Sequence, residues 1–303
     1  MNAQPRILLA FALAICAAPG ALAQPDFSKV EIATTRLNET TYVMTGAGGN
    51  LALSIGEDAV FLIDDQYAPL TDRISAAIAK ITPKPVRFVI NTHWHSDHVG
   101  GNESLGKAGA IVFAHENVRG RMNSEQFIEF MRSTVPASPP GALPVVTFSR
   151  SLTFHLNAEE IRVIHMPRAH TDGDAIVHFT KGDIVHMGDI YWNGIYPFID
   201  TSSGGTVDGV IAACDQVLQM ATGRTKIIAG HGPAVAGAAE LKAYRDMLAT
   251  VSGRIRAMID AGRKLEDITA SNVTAEFDEK WGKGFIPGSK FAEMIAMSIL
   301  KNR

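Results

Sequence analysis

The chain carries the stretch His93-Trp94-His95-Ser96-Asp97-His98, which places four strong metal-binding side chains within six residues. The apolar run 86–90 precedes it, and its β-branched and aromatic residues are typical of a short buried strand. Gly100 and Gly101 follow closely, where regular structure normally stops. The four side chains are therefore expected on a loop at the end of a strand, where functional residues are often found.

Three later residues share this setting, because each follows an apolar, strand-like run and has glycine beside it or close by. His170 follows the run 160–166, Asp189 follows 184–187 and His231 follows 225–229. Glycine allows the chain to approach a shared ion closely, where a bulkier neighbour would hinder it. Imidazole nitrogens and carboxylate oxygens suit Zn²⁺, and also iron or manganese.

The spacing of the ligand residues suggests two neighbouring ions. In an extended loop, a His-x-His step points both histidines the same way, so Asp97 and His98 face the other side. Asp189 has two carboxylate oxygens and is the natural bridge between the ions. The expected sets are one ion on His93, His95 and His170, and a second ion on Asp97, His98 and His231, with Asp189 shared.

The motif His-x-His-x-Asp-His, followed in order by His170, Asp189 and His231, resembles the metallo-β-lactamase superfamily of metallohydrolases. The resemblance covers about residues 30–235. It implies a water or hydroxide held between two metal ions, with Asp97 as the catalytic residue that orients it. Asp64, at the end of an early strand, resembles the family's strand-end aspartate. Either Asp64 or Asp65 is expected to support a ligand histidine.

The order of apolar patterns predicts an α/β protein of four layers. A β-meander is expected in 30–63, a helix over 69–81, and helical segments between 115 and 132. Strands resume between 145 and 188, a helix over 206–221 and a strand over 225–229 follow, and 237–303 is mainly helical. Two helix-covered sheets would pack as an αβ/βα sandwich, which the resemblance also implies. We expect one domain over 24–303 with extra C-terminal helices.

Residues 1–23 are predicted to be a signal peptide. Arg6 precedes the apolar run 7–18, and Ala21-Leu22-Ala23 fits the small-x-small cleavage pattern. The run is too short to span a bilayer, so no stable membrane anchor is expected after cleavage, and the mature protein is expected in the periplasm or outside the cell. Cys214 would then be the one remaining cysteine, and its apolar helical surroundings indicate a buried structural thiol.

The ligand set limits the choice of reaction. Asp189 stands where the best-known β-lactamases of the superfamily carry Cys or Ser, and Trp192 stands where the Cys type carries a substrate-binding Lys. The chain has 303 residues and a formal net charge of −3, so it offers no basic field for nucleic acid. We expect a small-molecule partner and a dinuclear zinc hydrolase acting on an ester, lactone, thioester or amide.

Other readings stay open on sequence alone. They are a β-lactam-hydrolysing relative, a mononuclear iron oxidoreductase of the persulfide dioxygenase type, and a metal-binding accessory protein without turnover. The aromatic residues after Asp189 (Tyr191, Trp192, Tyr196 and Phe198) either form a wall for an apolar substrate or pack in the core. The oligomeric state cannot be read from the sequence.

Overall fold

The computed structural model describes residues 26–303. The predicted signal peptide lies outside these residues. The first half of the chain alternates strands with short helices. Its elements are β1 (Ala33–Arg36), β2 (Thr41–Thr45), β3 (Leu51–Ile55), β4 (Val60–Ile63), α1 (Thr71–Ala79), β5 (Phe88–Ile90), α2 (Ser96–Val99), α3 (Asn102–Lys107), β6 (Ile111–His115), α4 (Glu116–Met122), β7 (Gln126–Ile128), β8 (Ser133–Val135) and β9 (Val146–Phe148).

Seven of these strands form the first sheet, in the order β1-β2-β3-β4-β5-β6-β9. The strands from β1 to β4 pair antiparallel, as expected for a meander. The pairs β4–β5, β5–β6 and β6–β9 are parallel. Parallel strands end at the same edge of a sheet, so the segments after β4, β5 and β6 meet there.

The second half of the chain builds the other sheet and most of the helices. The sheet has the order β10-β11-β12-β13-β14-β15, with β13 and β14 parallel and the other pairs antiparallel. The elements are β10 (Ser151–Leu156), β11 (Glu159–His165), β12 (Ala175–Phe179), β13 (Ile184–His186), α5 (Val207–Met220), β14 (Lys226–Ile228), β15 (Val235–Ala236), α6 (Ala238–Asp260), α7 (Leu265–Thr269), α8 (Ala275–Trp281) and α9 (Gly288–Lys301).

Three apolar clusters join the elements into the predicted four layers. Phe61 and Ile90 of the first sheet pack against Val177 and other residues of the second, which fills the space between the sheets. The outer face of the first sheet packs on α1, and the outer face of the second packs on α5, α6 and α9. Burial of these faces is the main force that stabilises the sandwich. The fold prediction is confirmed.

One local prediction is wrong. Helical segments are expected between 115 and 132, but α4 ends at Met122 and residues 126–135 form an antiparallel hairpin of β7 and β8. Ile128 is buried while Phe127 is exposed, which is the alternation of a strand rather than of a helix. A distant contact supports the hairpin, because the Glu129 N–H donates to the Ser202 hydroxyl at 3.3 Å. Local sequence carries no sign of that contact.

Two further observations complete the fold. Cys214 is buried on α5, as predicted, and burial raises the pKa of its thiol well above the ordinary value. Within residues 26–303, no helix combines the length and the apolar character needed to cross a membrane.

Candidate metal centre

All seven predicted ligand residues lie together at one edge of the sandwich. They form two groups, each with ligand atoms within 4.8 Å of one another. The first group is His93, His95, His170 and Asp189, and the second is Asp97, His98 and His231.

The first group has a tight cluster of imidazole nitrogens. His95 Nδ1 lies 3.1 Å from His93 Nε2 and 2.9 Å from His170 Nε2. Asp189 Oδ2 lies 3.8 Å from His93 Nε2 and 3.6 Å from His170 Nε2. Three nitrogens and one carboxylate oxygen therefore converge on one point, which is the number of donors that a tetrahedral zinc site uses.

The second group converges beside the first, with Asp189 between them. His98 Nε2 lies 3.0 Å from Asp189 Oδ1 and 3.6 Å from Asp97 Oδ2. His231 Nε2 lies 3.2 Å from Asp189 Oδ2 and 3.3 Å from Asp97 Oδ2. Since Asp189 belongs to the first group and contacts both histidines of the second, its carboxylate lies between the two groups.

In each histidine of the first group, the ring nitrogen that faces away from the other ligand atoms has a polar partner in the protein. His93 Nδ1 lies 3.1 Å from the Thr92 hydroxyl, and His170 Nδ1 lies 2.8 Å from a backbone carbonyl at residue 198. His95 Nε2 lies 3.1 Å from Asp200 Oδ2. When these outer nitrogens carry the protons, the inner nitrogens present lone pairs to one another, and a cation relieves their repulsion.

The second group is oriented by Asp64 and not by its neighbour Asp65. Asp64 Oδ2 lies 2.7 Å from His98 Nδ1, and the same carboxylate accepts from the Thr92 N–H at 2.7 Å and the Thr92 hydroxyl at 2.8 Å. Asp64 has a left-handed φ of +61°, which turns the chain at the end of β4. Asp65 Oδ1 instead accepts from the Gly101 N–H at 2.7 Å. Of the two predicted candidates, only Asp64 bonds the ring of a ligand histidine with its carboxylate, while Asp65 donates its backbone N–H to the His98 carbonyl at 2.9 Å.

Two features of the surroundings of Asp189 indicate a ligand-binding position. Its Oδ1 atom is buried and accepts no well-directed hydrogen bond, although His98 Nε2 is near. A buried carboxylate oxygen without a partner is costly unless an ion binds it. A Cβ at Gly230 would overlap this oxygen, so glycine is needed where the loop after β14 passes Asp189.

The charges of the protein groups also fit a cationic ligand. Burial lowers the pKa of His170 to about 4 and holds that of His93 well below its usual value, which keeps both rings in the neutral form that binds metals. Burial opposes the charge of Asp97, but His98 and His231 outweigh it and lower the Asp97 pKa to about 2. Burial likewise opposes the charge of His98 and His231, but Asp189 and Asp97 outweigh it, raising the pKa of His231 to about 9 and that of His98 well above its usual value. Without an ion, these two rings carry the positive charge that a metal would replace, and Asp97 is ionised.

The two ligand groups open into a cavity of about 400 Å³. Asp97, Asp189 and His231 lie at its base, and Trp192 and Phe198 form part of its wall. The Trp192 ring packs on the ring of His231, with centroids 4.3 Å apart. The aromatic segment thus divides between both predicted roles, because Tyr191 and Tyr196 are fully buried in the core instead.

The remaining histidines and aspartates fit the alternatives to metal binding. His155, His178 and His186 lie in strands β10, β12 and β13. Asp174 bonds its own turn, accepting from the Thr171 N–H at 2.8 Å. Asp172 does not bond that turn, because its carboxylate forms a bidentate ion pair with Arg121 at 2.7 Å.

Sequence reasoning missed Asp200 and the hairpin. Asp200 holds His95 and also accepts from the Ser203 N–H, so it orients a ligand residue and begins a short 3-10 helix. The one sequence signal was its capping pattern, Asp200-Thr201-Ser202, which also marks ordinary turns. Ile128, Met131 and Val135 of the hairpin region line the cavity. They come near the metal centre only through the tertiary fold.

The family model of the metallo-beta-lactamase superfamily matches residues 45–266, which contain both ligand groups, the second sheet and all of the first sheet except β1 and most of β2. The chain belongs to this superfamily. It is also 29% identical over 150 residues to a hydroxyacylglutathione hydrolase of Gloeobacter violaceus. That match covers 46% of this chain and 52% of the relative, so it spans about half the length of each.

Solved structures share the fold. A metallo-beta-lactamase from Pontibacter korlensis superposes with a TM-score of 0.60 at 18% identity, covering 72% of this chain and 99% of that one. The stereoselective inverting sec-alkylsulfatase Pisa1 from Pseudomonas sp. superposes with a TM-score of 0.63 at 19% identity, covering 88% of this chain and 50% of that one. At such low identity, these likenesses concern the fold.

Proposed function

We propose that the protein is a dinuclear zinc-dependent hydrolase of a small ester, lactone, thioester or amide. The observation that carries this proposal is the convergence of two ligand groups on Asp189, at the base of a cavity. His93, His95 and His170 would hold one ion, Asp97, His98 and His231 would hold the other, and Asp189 would be shared. Bound zinc would lower the pKa of water to about 7 and stabilise developing negative charge on the substrate.

Asp97 is the residue best placed to assist the reaction. Its carboxylate lines the cavity, in contrast to Asp64, which is fully buried behind His98. It lies 3.3 Å from His231 Nε2, so a water beside the second ligand group could donate a hydrogen bond to this carboxylate, be oriented by it and transfer a proton to it. The same carboxylate can then pass the proton to the leaving group.

Four observations favour ester-type substrates over the alternatives. The carboxylate of Asp189 lies within 3.2 Å of both histidines of the second group as well as belonging to the first, and the partial match to a hydroxyacylglutathione hydrolase supports a thioester among the candidate bonds. The second group is complete, with Asp97, His98 and His231 together, which disfavours an iron oxidoreductase that needs one ion. The apolar walls of the cavity also suit a small organic substrate.

A hydrolysis panel tests the proposal. The zinc-loaded protein would be assayed with a lactone, a thioester, a para-nitrophenyl ester, nitrocefin and a phosphodiester, with and without chelator. We expect chelator-sensitive turnover of at least one of the first three, and a loss of about 100-fold or more in His95→Ala. His155→Ala is the matched control, because His155 is exposed on β10 and should keep full activity.

Other outcomes would overturn the proposed substrate class. Turnover of nitrocefin alone would favour a β-lactamase, and turnover of the phosphodiester alone a phosphodiesterase. Binding of metal without any turnover would favour an accessory protein.

We also propose that the protein is exported to the periplasm or beyond. The support is the sequence of residues 1–23 alone. Mass spectrometry of the protein from the periplasmic fraction should find an N-terminus at Gln24. An uncleaved chain in the cytoplasmic fraction would contradict export.

A further inference from the structure

The walls of the catalytic cavity carry no cation of their own. Its charged or titratable lining groups all belong to the metal centre, except for the phenol of Tyr67; within residues 26–303, no Lys or Arg lines it. Hydrophobic side chains make up most of the remaining wall, among them Ile128, Trp192 and Phe198. A charged group of a substrate, away from the reacting bond, would lose its hydration here and gain no partner.

A second cavity of about 380 Å³ lies beside the first. Phe285, between α8 and α9, lines both cavities. The floor of the second cavity includes Phe130, Ile199, Met294 and Met297, so it continues the apolar surface of the first. The two volumes together are in the range of pockets that enclose a drug-sized ligand, roughly 300–1,000 Å³.

The rim of the second cavity has little free charge. Both glutamates that line it are already paired, Glu293 with Lys290 at 2.7 Å and Glu129 with Lys301 on α9. Arg132 also lines the cavity, but it is exposed to solvent, where a single ion pair contributes little to binding. An anionic tail therefore gains little here, whereas an apolar chain can lie on the floor with its end near water.

Phe285 is unusually exposed for a side chain at such a junction. Its exposed fraction is 63%, and Met131, across the mouth of the first cavity, is 42% exposed. Large apolar side chains left open to water beside a catalytic cavity mark a surface that a ligand covers. Burying them against a substrate chain would add the binding free energy of the hydrophobic effect.

We propose that the substrate is an uncharged ester or lactone with an extended apolar chain, which runs from the metal centre across Phe285 into the second cavity. This inference rests on the proposed hydrolase function and specifies its substrate class. Phe285 is then the residue that sets chain-length preference, because it contacts the chain where it leaves the first cavity.

The test is a series of para-nitrophenyl esters assayed with the zinc-loaded full chain: acetate, butyrate, pentanoate, octanoate and dodecanoate. The two cavities joined at Phe285 would form one apolar groove. Each methylene that becomes buried should raise kcat/KM by roughly fourfold until this groove is filled. The para-nitrophenyl monoester of glutaric acid has the chain of the pentanoate with a terminal carboxylate. It should react about tenfold or more slowly than the neutral pentanoate.

Substitution of Phe285 assigns the effect to the groove. Phe285→Ala should lower kcat/KM for octanoate by roughly fivefold to tenfold and leave acetate within about twofold. Val145→Ala is the matched control, because Val145 is 69% exposed and lines neither cavity. A flat chain-length profile with the acetate still hydrolysed would overturn the inference while leaving the hydrolase function intact.

If no ester is hydrolysed, a binding measurement distinguishes failure of the proposed apolar groove from failure of the proposed hydrolase function. N-octylacetamide is neutral and carries the same apolar chain, and its binding would be followed by tryptophan fluorescence, since Trp94 and Trp192 line the first cavity. Saturable binding that Phe285→Ala weakens and Val145→Ala does not would support the apolar groove without the esterase activity. Absence of binding, or equal binding by Phe285→Ala and Val145→Ala, would contradict binding of an apolar chain in this groove.

Discussion

Asp64 and Asp65 are neighbouring buried carboxylates with different partners. Asp64 contacts His98 and Thr92, while Asp65 bonds a backbone N–H and leaves its other oxygen without a partner. Burial raises the pKa of Asp65 well above its usual value, so a neutral side chain of the same shape suits its site. The pair offers a comparison of two nearly identical substitutions.

Asp64→Asn should weaken zinc binding at the second group by about 10–100-fold, because an amide holds the His98 ring less well than a carboxylate does. Asp65→Asn, the matched control, should keep the affinity within about threefold. Competition with a chromophoric chelator measures both. Equal affinities in the two variants would show that Asp64 does not support the ligand.

The convergence of the candidate ligand residues could be predicted because all of them follow apolar strands, four after β5 and the other three after a strand each. His170, Asp189 and His231 stand directly after β11, β13 and β14 or a few residues beyond. Asp200 has no such marker, since a long aromatic segment separates it from the nearest strand. Its role depends on the approach of two loops, which is a property of the tertiary fold.

Among the elements, the loops after β13 and β14 must pass each other at close range. Gly230 lies against Asp189 and against the backbone of Gly188, and a Cβ there would overlap both. The Gly230 N–H also donates to the Gly188 carbonyl at 2.9 Å, which ties the loops together. The bridging carboxylate therefore depends on a glycine in the neighbouring loop.

Gly230→Ala should displace Asp189 and lower the bound zinc by about one equivalent or more, with a stability loss of about 1–3 kcal/mol from overpacking. Gly253→Ala is the control, since Gly253 lies in α6 with no other atom near an added Cβ. That variant should gain about 0.5–1 kcal/mol. Elemental analysis and urea unfolding give both quantities, and full zinc content in Gly230→Ala would refute the packing argument.

The hairpin of β7 and β8 shows where element prediction fails. Helical segments were expected between 115 and 132, yet residues 126–135 form two strands of only three residues each. Such short strands give too few residues for a period of two to be distinguished from a helical pattern. Residues 26–303 otherwise follow the predicted order of strands and helices, with boundaries shifted by a few residues.

At the scale of the whole molecule, the four-layer sandwich could be predicted because local apolar patterns determine which strands and helices form, and these elements then pack into layers. The substrate could not, because the cavity wall is assembled from the hairpin, the segment after Asp189 and the loop before α9. These segments are far apart in sequence and meet only once the sheets have packed. Family membership fixes the fold and the ligand loops, and this wall distinguishes one member from another.

The stoichiometry of bound metal tests the two-ion centre most directly. We expect inductively coupled plasma mass spectrometry of the purified, dialysed chain to find about two zinc ions per chain. Asp189→Ala, which removes the shared carboxylate, should retain about one or fewer and lose turnover. One iron per chain with oxygen-dependent turnover, or two zinc ions retained in Asp189→Ala with activity unchanged, would contradict a bridged dinuclear centre.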